Sequence, residues 1–149
     1  MDRPRILIVD DDQSIRATVK ALLEDQGYDV EEATTGKEAI RKTQEGTYNL
    51  ALLDIRLPDM EGVELLKLMK GHIPKMRKIM VTGYPSIQNA AESLNKEADA
   101  YLIKPVDVDV LLETVRDQLR KQSDERAFTE MKVAEFIDSR AEEIQIDHI

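Results

Sequence analysis

Three aspartates, Asp10, Asp11 and Asp12, stand side by side where the apolar run of residues 6–9 ends. Asp54 closes a second apolar run, Thr82 a third, and Lys104 a fourth. Carboxylates held close together repel unless some are protonated or a cation joins them, and a cluster of hard oxygen ligands without His or Cys suits Mg2+. Mg2+ keeps several waters and commonly shares its coordination with a phosphoryl group. Lys104 and Thr82 offer the charge and the hydrogen bond that such a group needs. The residue types therefore point to phosphoryl chemistry, provided the fold gathers them.

The elements around these residues supply the gathering. The segments RILIV (5–9), LALLD (50–54), KIMVT (78–82) and AYLIK (100–104) are nearly continuous apolar runs, as expected of strands covered on both faces. YDVEEA (28–33) is more polar and reads as an edge strand. Between the runs, Ile15, Val19 and Leu22 share a helical face that stops near Gly27. Thr35 and Glu38 have the spacing of a capping box opening a second helix, which stops near Gly46. Val63, Leu66 and Met69 mark a third helix, Ile87, Ala91 and Leu94 a fourth, and Leu111, Val115 and Leu119 a fifth. Five strands alternating with five helices imply an α/β fold: a parallel, doubly wound sheet with right-handed crossovers. With the polar strand at an edge the expected order is 2-1-3-4-5, and ligands bind at the carboxyl ends of the strands near the switch between strands 1 and 3. All four strand ends that carry polar groups meet there.

Taken singly, each residue has an ordinary reading. Asp12 or Ser14 caps the next helix, Asp54 is a loop acid, Thr82 a β-branched strand residue and Lys104 a solvated charge. Their joint placement at one sheet edge is what capping and solvation do not account for.

Composition narrows the classes. At 149 residues and 42% hydrophobic content the chain fits one domain with an appendage. It has no cysteine, which excludes disulfides, thiolate metal sites and a thiol nucleophile. No apolar run approaches the roughly 18 residues of a membrane span, and the amino terminus lacks a signal-peptide core, so a soluble, cytoplasmic protein is expected. A formal charge of −9 argues against direct nucleic-acid binding, which needs clustered Lys and Arg. The absence of a Gly-rich turn after the first strand argues against a nucleotide-binding module. His72, in a polar turn, and His148, next to last, read as solvated side chains.

The acidic cluster after the first strand, LLDIRLPDMEG around the third, VTG after the fourth and YLIKP after the fifth resemble the receiver domain of two-component response regulators. The likeness covers about residues 4–121. It implies a phosphorylation-controlled switch that takes a phosphoryl group from a sensor histidine kinase or a phosphotransfer protein on Asp54. It further implies that Asp11 ligates Mg2+ directly, Asp10 assists through water, and Asp54 and the backbone carbonyl of Arg56 complete the protein ligands. Thr82 and Lys104 would contact the phosphoryl oxygens, and the Lys104–Pro105 bond would be cis. Pro58 and Gly62 match the loop after the acceptor, whereas Glu61 stands where the family often has Asp or Ser. Tyr101 takes the position of the switching aromatic, its ring turning into space that Thr82 vacates. The output surface would be the fourth helix, fifth strand and fifth helix, a route to homodimers. Such a domain catalyses only its own phosphorylation and dephosphorylation.

A different class is a haloacid-dehalogenase-like phosphatase, with Asp10 as nucleophile and Asp12 as general acid. That reading leaves Asp54 and LPDMEG unexplained, and Lys104 lacks the acidic pair that usually follows it. The sequence divides into a receiver domain, 1–121, and a C-terminal amphipathic helical extension, 122–149. In the extension Phe128, Met131, Ala134, Ile137, Ala141 and Ile144 recur every three or four residues, while Arg126, Lys132 and Arg140 face eight acids. The stripe either covers its own domain or lengthens the fifth helix and pairs with another chain as a short coiled coil.

Overall fold

The computed structural model describes residues 3–69, 75–83 and 98–147, with side chains of the last helix described as far as 141. Five parallel strands, β1 (Arg5–Val9), β2 (Asp29–Ala33), β3 (Leu50–Asp54), β4 (Arg77–Thr82) and β5 (Ala100–Ile103), form one sheet in the order β2-β1-β3-β4-β5. The expected order, the edge position of β2 and the run of apolar strands are all present. β4 begins one residue before the apolar run and β5 ends one residue short of Lys104.

Alternation along the strands divides the core. On one face Leu7, Val9, Ala51, Leu53 and Met80 pack beneath α2 (Gly36–Glu45) and α3 (Gly62–Leu68). On the other, Ile6, Ile8, Leu50, Leu52 and Ile79 meet α1 (Gln13–Asp25) and α4 (Val108–Asp147), through Leu23, Leu111 and Val115. Each such side chain, taken from water to a closed interior, contributes about 2 kcal/mol. The fourth helix expected around Ile87, Ala91 and Leu94 lies outside the described residues, as do His72 and His148, and α4 is the helix expected as the fifth.

Helix ends follow local chemistry. The Asp12 carboxylate accepts from Ile15 N at 3.1 Å and caps α1, and Gly27, at φ 91°, provides the left-handed residue that turns the chain into β2. Thr35 Oγ1 accepts from Glu38 N at 3.1 Å, half of the expected capping box. The Glu38 carboxylate does not complete the box; it receives the Thr34 hydroxyl and pairs with Lys42.

At the opposite end of the sheet α4 is fastened by polar groups. Gln122 Nε2 donates to the carbonyls of Asn49 (2.9 Å) and Lys75 (2.8 Å), and its Oε1 accepts from Asn49 Nδ2. Arg77 pairs with both Asp99 and Glu125. Beyond Glu125 the helix leaves the domain, and every side chain from 123 to 141 is exposed. The stripe on the extension therefore does not cover the described part of its own domain: Phe128 is 57%, Met131 50% and Ile137 59% exposed.

Candidate functional site: an acidic pocket at the strand ends

The three consecutive aspartates are separated by the turn out of β1 into different tasks. Asp10, buried, is held by its backbone: its N–H donates to Ala33 O at 3.1 Å and its carbonyl accepts from Arg16 Nη1 at 2.7 Å. Its Oδ1 accepts from Asp12 N at 2.9 Å. Asp11 is exposed, and Asp12 is spent on the cap. Asp54, at the end of β3, is only 8% exposed. One carboxylate oxygen from each of Asp10, Asp11 and Asp54 lies within 4.8 Å of the others, an arrangement that could hold a metal ion.

Lys104 reaches across from the end of β5, its Nζ donating to Asp10 Oδ2 at 2.8 Å and Asp54 Oδ2 at 3.4 Å. Its backbone N–H is pinned to Thr82 O at 2.7 Å, and its bond to Pro105 is cis. Thr82 is fully buried at the end of β4, one residue beyond the Val81 that stands in register with Asp54. The fold thus brings Asp10, Asp11, Asp54, Thr82 and Lys104 to one edge. Tyr101, in β5, is half-buried with its ring against the core, and its hydroxyl has no hydrogen-bond partner among the described residues.

Charge is not balanced in this pocket. Burial pushes the pKa of Asp54 up; Lys104 opposes that shift and Asp10 adds to it, and the upward influences prevail. For Lys104, burial pulls the pKa down but is outweighed by the hydrogen bond and charge of Asp10 and by Asp54, so the ammonium is held more firmly than usual. One lysine among three carboxylates leaves room for a cation. An all-oxygen donor set with no soft ligand fits Mg2+.

The loop after β3 is built for close approach. Leu57 N donates to Met60 O at 3.1 Å, and Arg56 N donates to Asp54 Oδ1 at 3.3 Å. Gly62 lies against the end of β3: a Cβ there would sit 2.3 Å from Asp54 O and 2.9 Å from Ile55 Cα, both backbone atoms that cannot yield. Asp59 then ties the loop to α2, its two carboxylate oxygens accepting from Gly36 N (2.8 Å) and Lys37 N (3.0 Å). Those bonds hold its pKa below the usual carboxylate value. The sequence pattern marks neither Asp59 nor Arg16. Asp59 sits within LPDMEG, but its partners lie more than twenty residues away and leave no local signal.

Behind the acidic edge, a cleft of about 540 Å3 runs between α1 and α4, with Asp10, Asp54 and Lys104 at one end and Ile15, Val19 and Val106 along its walls. It exists because α1 buries only Leu23 fully and leaves the rest of its apolar face part-covered.

Residues 6–116 match the family model of the response regulator receiver domain. This chain belongs to that family. It is 50% identical to a CheY-like receiver domain protein from Methanospirillum hungatei JF-1, with 83% of this chain and 99% of that one covered and a TM-score of 0.80. The beryllofluoride-activated NtrC4 receiver domain dimer is 33% identical over 79% of this chain and 98% of that one, with a TM-score of 0.75. Among curated relatives, the transcriptional regulatory protein ZraR of Klebsiella oxytoca is 39% identical over 132 residues, 88% of this chain and 30% of that protein. The chain thus spans about a third of the length of that regulator, the part in which the two are alike. The match is to the receiver family, not to the phosphatase class also considered from the sequence. Among the described residues no helix is long and apolar enough to cross a membrane.

Proposed function

We propose that this receiver domain accepts a phosphoryl group on Asp54 from a histidine kinase or phosphotransfer protein, and that residues 1–121 are the switching unit with 122–149 as its extension. The observation that carries the reading is the Lys104 ammonium bridging Asp10 and Asp54 while Asp11 stands within 4.8 Å of both. In the transfer an Asp54 carboxylate oxygen forms the new bond to phosphorus as the bond from phosphorus to the donor's imidazole nitrogen breaks; the imidazole leaves with the electron pair. Lys104 is already placed to offset charge on the transferring oxygens. Asp10, Asp11, Asp54 and the carbonyl of Arg56 would hold Mg2+. Bound there, the ion supplies neutralisation of charge along the in-line path. Gly62 and Asp59 hold the loop that presents the Arg56 carbonyl. Pro105 orients the lysine.

After transfer, the Thr82 hydroxyl turns to the phosphoryl group and the Tyr101 ring follows into the space released, changing the surface of β5 and α4. That surface, or the extension, would then meet a partner, including a second copy; the beryllofluoride-activated NtrC4 receiver domain is itself a dimer. The reading makes the domain a cytoplasmic signalling element that catalyses only its own modification. ZraR is a transcriptional regulatory protein, but nucleic-acid binding is not assigned to these residues, whose balance is acidic.

The test is labelling with acetyl phosphate in Mg2+, followed by mass spectrometry of the peptides. The expected result is one aspartyl phosphate on Asp54, absent in Asp54→Asn and with excess chelator. Phosphate on Asp10 would overturn the assignment.

A further inference from the structure

We infer that Arg16, in the first turn of α1, is a positioning residue for the acidic pocket: it holds the peptide between Asp10 and Asp11 and so sets where the Asp11 carboxylate stands. The inference rests on the reading of Asp11 as an Mg2+ ligand given above.

Asp11 has little else to place it. It lies between β1 and α1, it is exposed, and among the described residues its carboxylate makes no hydrogen bond or ion pair. Its position is therefore set by the two peptides that flank it. The one into Asp12 is held locally, Asp12 N donating to Asp10 Oδ1 at 2.9 Å. The one out of Asp10 is held from α1, where Arg16 Nη1 donates to Asp10 O at 2.7 Å. Asp10 N is itself fixed on Ala33 O at 3.1 Å, so the carbonyl is the part left to turn. A peptide unit is planar: with its oxygen held, the Asp11 N–H and Cα are held with it.

The end of β2 supports both grips. Arg16 Nε lies 3.4 Å from Glu32 Oε1, and Glu32 also pairs with Lys20 at 3.6 Å. Glu32 precedes Ala33, so this strand end holds Asp10 directly through its N–H and, by way of Arg16, through its carbonyl. The Arg16 side chain is only 13% exposed. A cation so covered is costly unless paired, and beside an ion site it also repels the ion. Glu32 offsets both costs. A role in neutralising the pocket would set the guanidinium on the carboxylates, as the Lys104 ammonium is set on Asp10 and Asp54. It sits instead on a backbone oxygen, a contact that orients a plane. The planar fork of arginine reaches two partners in fixed directions, which the single ammonium of lysine does not.

The test compares full-length Arg16→Met and Arg16→Lys with the parent chain. Removing a positive charge near a cation site tightens binding, whereas losing the position of a ligand weakens it, so the two roles predict opposite signs. Calorimetry is expected to show Mg2+ affinity about tenfold lower in Arg16→Met, and lower by less in Arg16→Lys, whose charge remains. A second readout needs no metal: the Asp11 N–H belongs to the peptide that Arg16 holds. Its NMR order parameter is expected to fall in both variants, in Arg16→Met from about 0.85 toward about 0.6, with less change at Asp12. A urea titration identifies a variant that fails to fold, and the other then supplies both readouts. Mg2+ affinity equal to or above the parent's in a folded variant, or an unmoved Asp11 order parameter, overturns the inference. A parent chain that binds no Mg2+ would overturn the reading of the site, while the metal-free order parameter still decides the positioning.

Discussion

The two ends of the sheet handle polar groups in opposite ways. At the lower end Gln122 is buried with each polar atom engaged, to Asn49 and to the Lys75 carbonyl, although the nearby Gln118 Oε1 has no hydrogen-bond partner among the described residues. At the upper end three carboxylates gather, Lys104 pairs with only two of them, and burial leaves Asp54 reluctant to ionise. Satisfied polar groups fix one structure, whereas an unresolved set of charges sits at the place where an ion or a phosphoryl group can complete it. Stability and function are thus divided along the strands.

This division can be broken at either end. The largest effect should come from below: Gln122→Ala strips partners from two carbonyls and from the Asn49 amide, and is expected to lower stability by about 2–3 kcal/mol in a urea titration. Labelling of Asp54 by acetyl phosphate should persist wherever the protein remains folded. Loss of labelling in the folded variant would mean that the two ends are not separable.

A change above should have the opposite sign. Asp54→Asn removes a carboxylate from a crowded pocket and is expected to raise stability without metal by about 1 kcal/mol at neutral pH. Because the pKa of Asp54 is raised in the folded protein, its penalty is absent at low pH and develops as pH rises through the folded value. The advantage of the variant should therefore vanish on acidification, which thermal melts at several pH values would reveal; a constant advantage would count against the pocket as its source. For the same reason Mg2+ affinity in the parent chain should start to fall at a pH above the usual carboxylate range, as protons compete for Asp54.

The smallest effect sharpens the comparison. Asp59→Ala frees the loop after β3 from α2 and is expected to cost a few-fold in Mg2+ affinity, a size common for groups that support a ligand indirectly. Asp59→Asn, which keeps one acceptor, should recover part of it. Equal affinities in all three proteins, measured by calorimetry, would restrict Asp59 to a capping role.

Much of the architecture was legible because burial on two faces forces near-continuous apolar strands, and a parallel sheet then has few possible orders. The site was legible for the same reason: a polar residue that ends an apolar run, as Asp54, Thr82 and Lys104 do, must emerge at the sheet edge. Asp12 as the α1 cap was also within reach, since its partner is three residues away. What could not be read were contacts whose partners are remote, such as Asp59 on α2 and Gln122 on Asn49, and the choice made by Glu38 between closing its box and pairing with Lys42. The stripe on the extension fixed a helix but not its surroundings, because periodicity names a face and not what lies against it.

The unbroken course of α4 past Glu125 has a mechanical consequence. From Arg126 to Asp147 the helix projects about 33 Å past its last fastening, the pair of Glu125 with Arg77. It is a lever with its fulcrum at the base of the sheet, so a tilt of a few degrees there displaces the far end by ångströms, turning a motion too small to rearrange the core into one that a neighbour can detect.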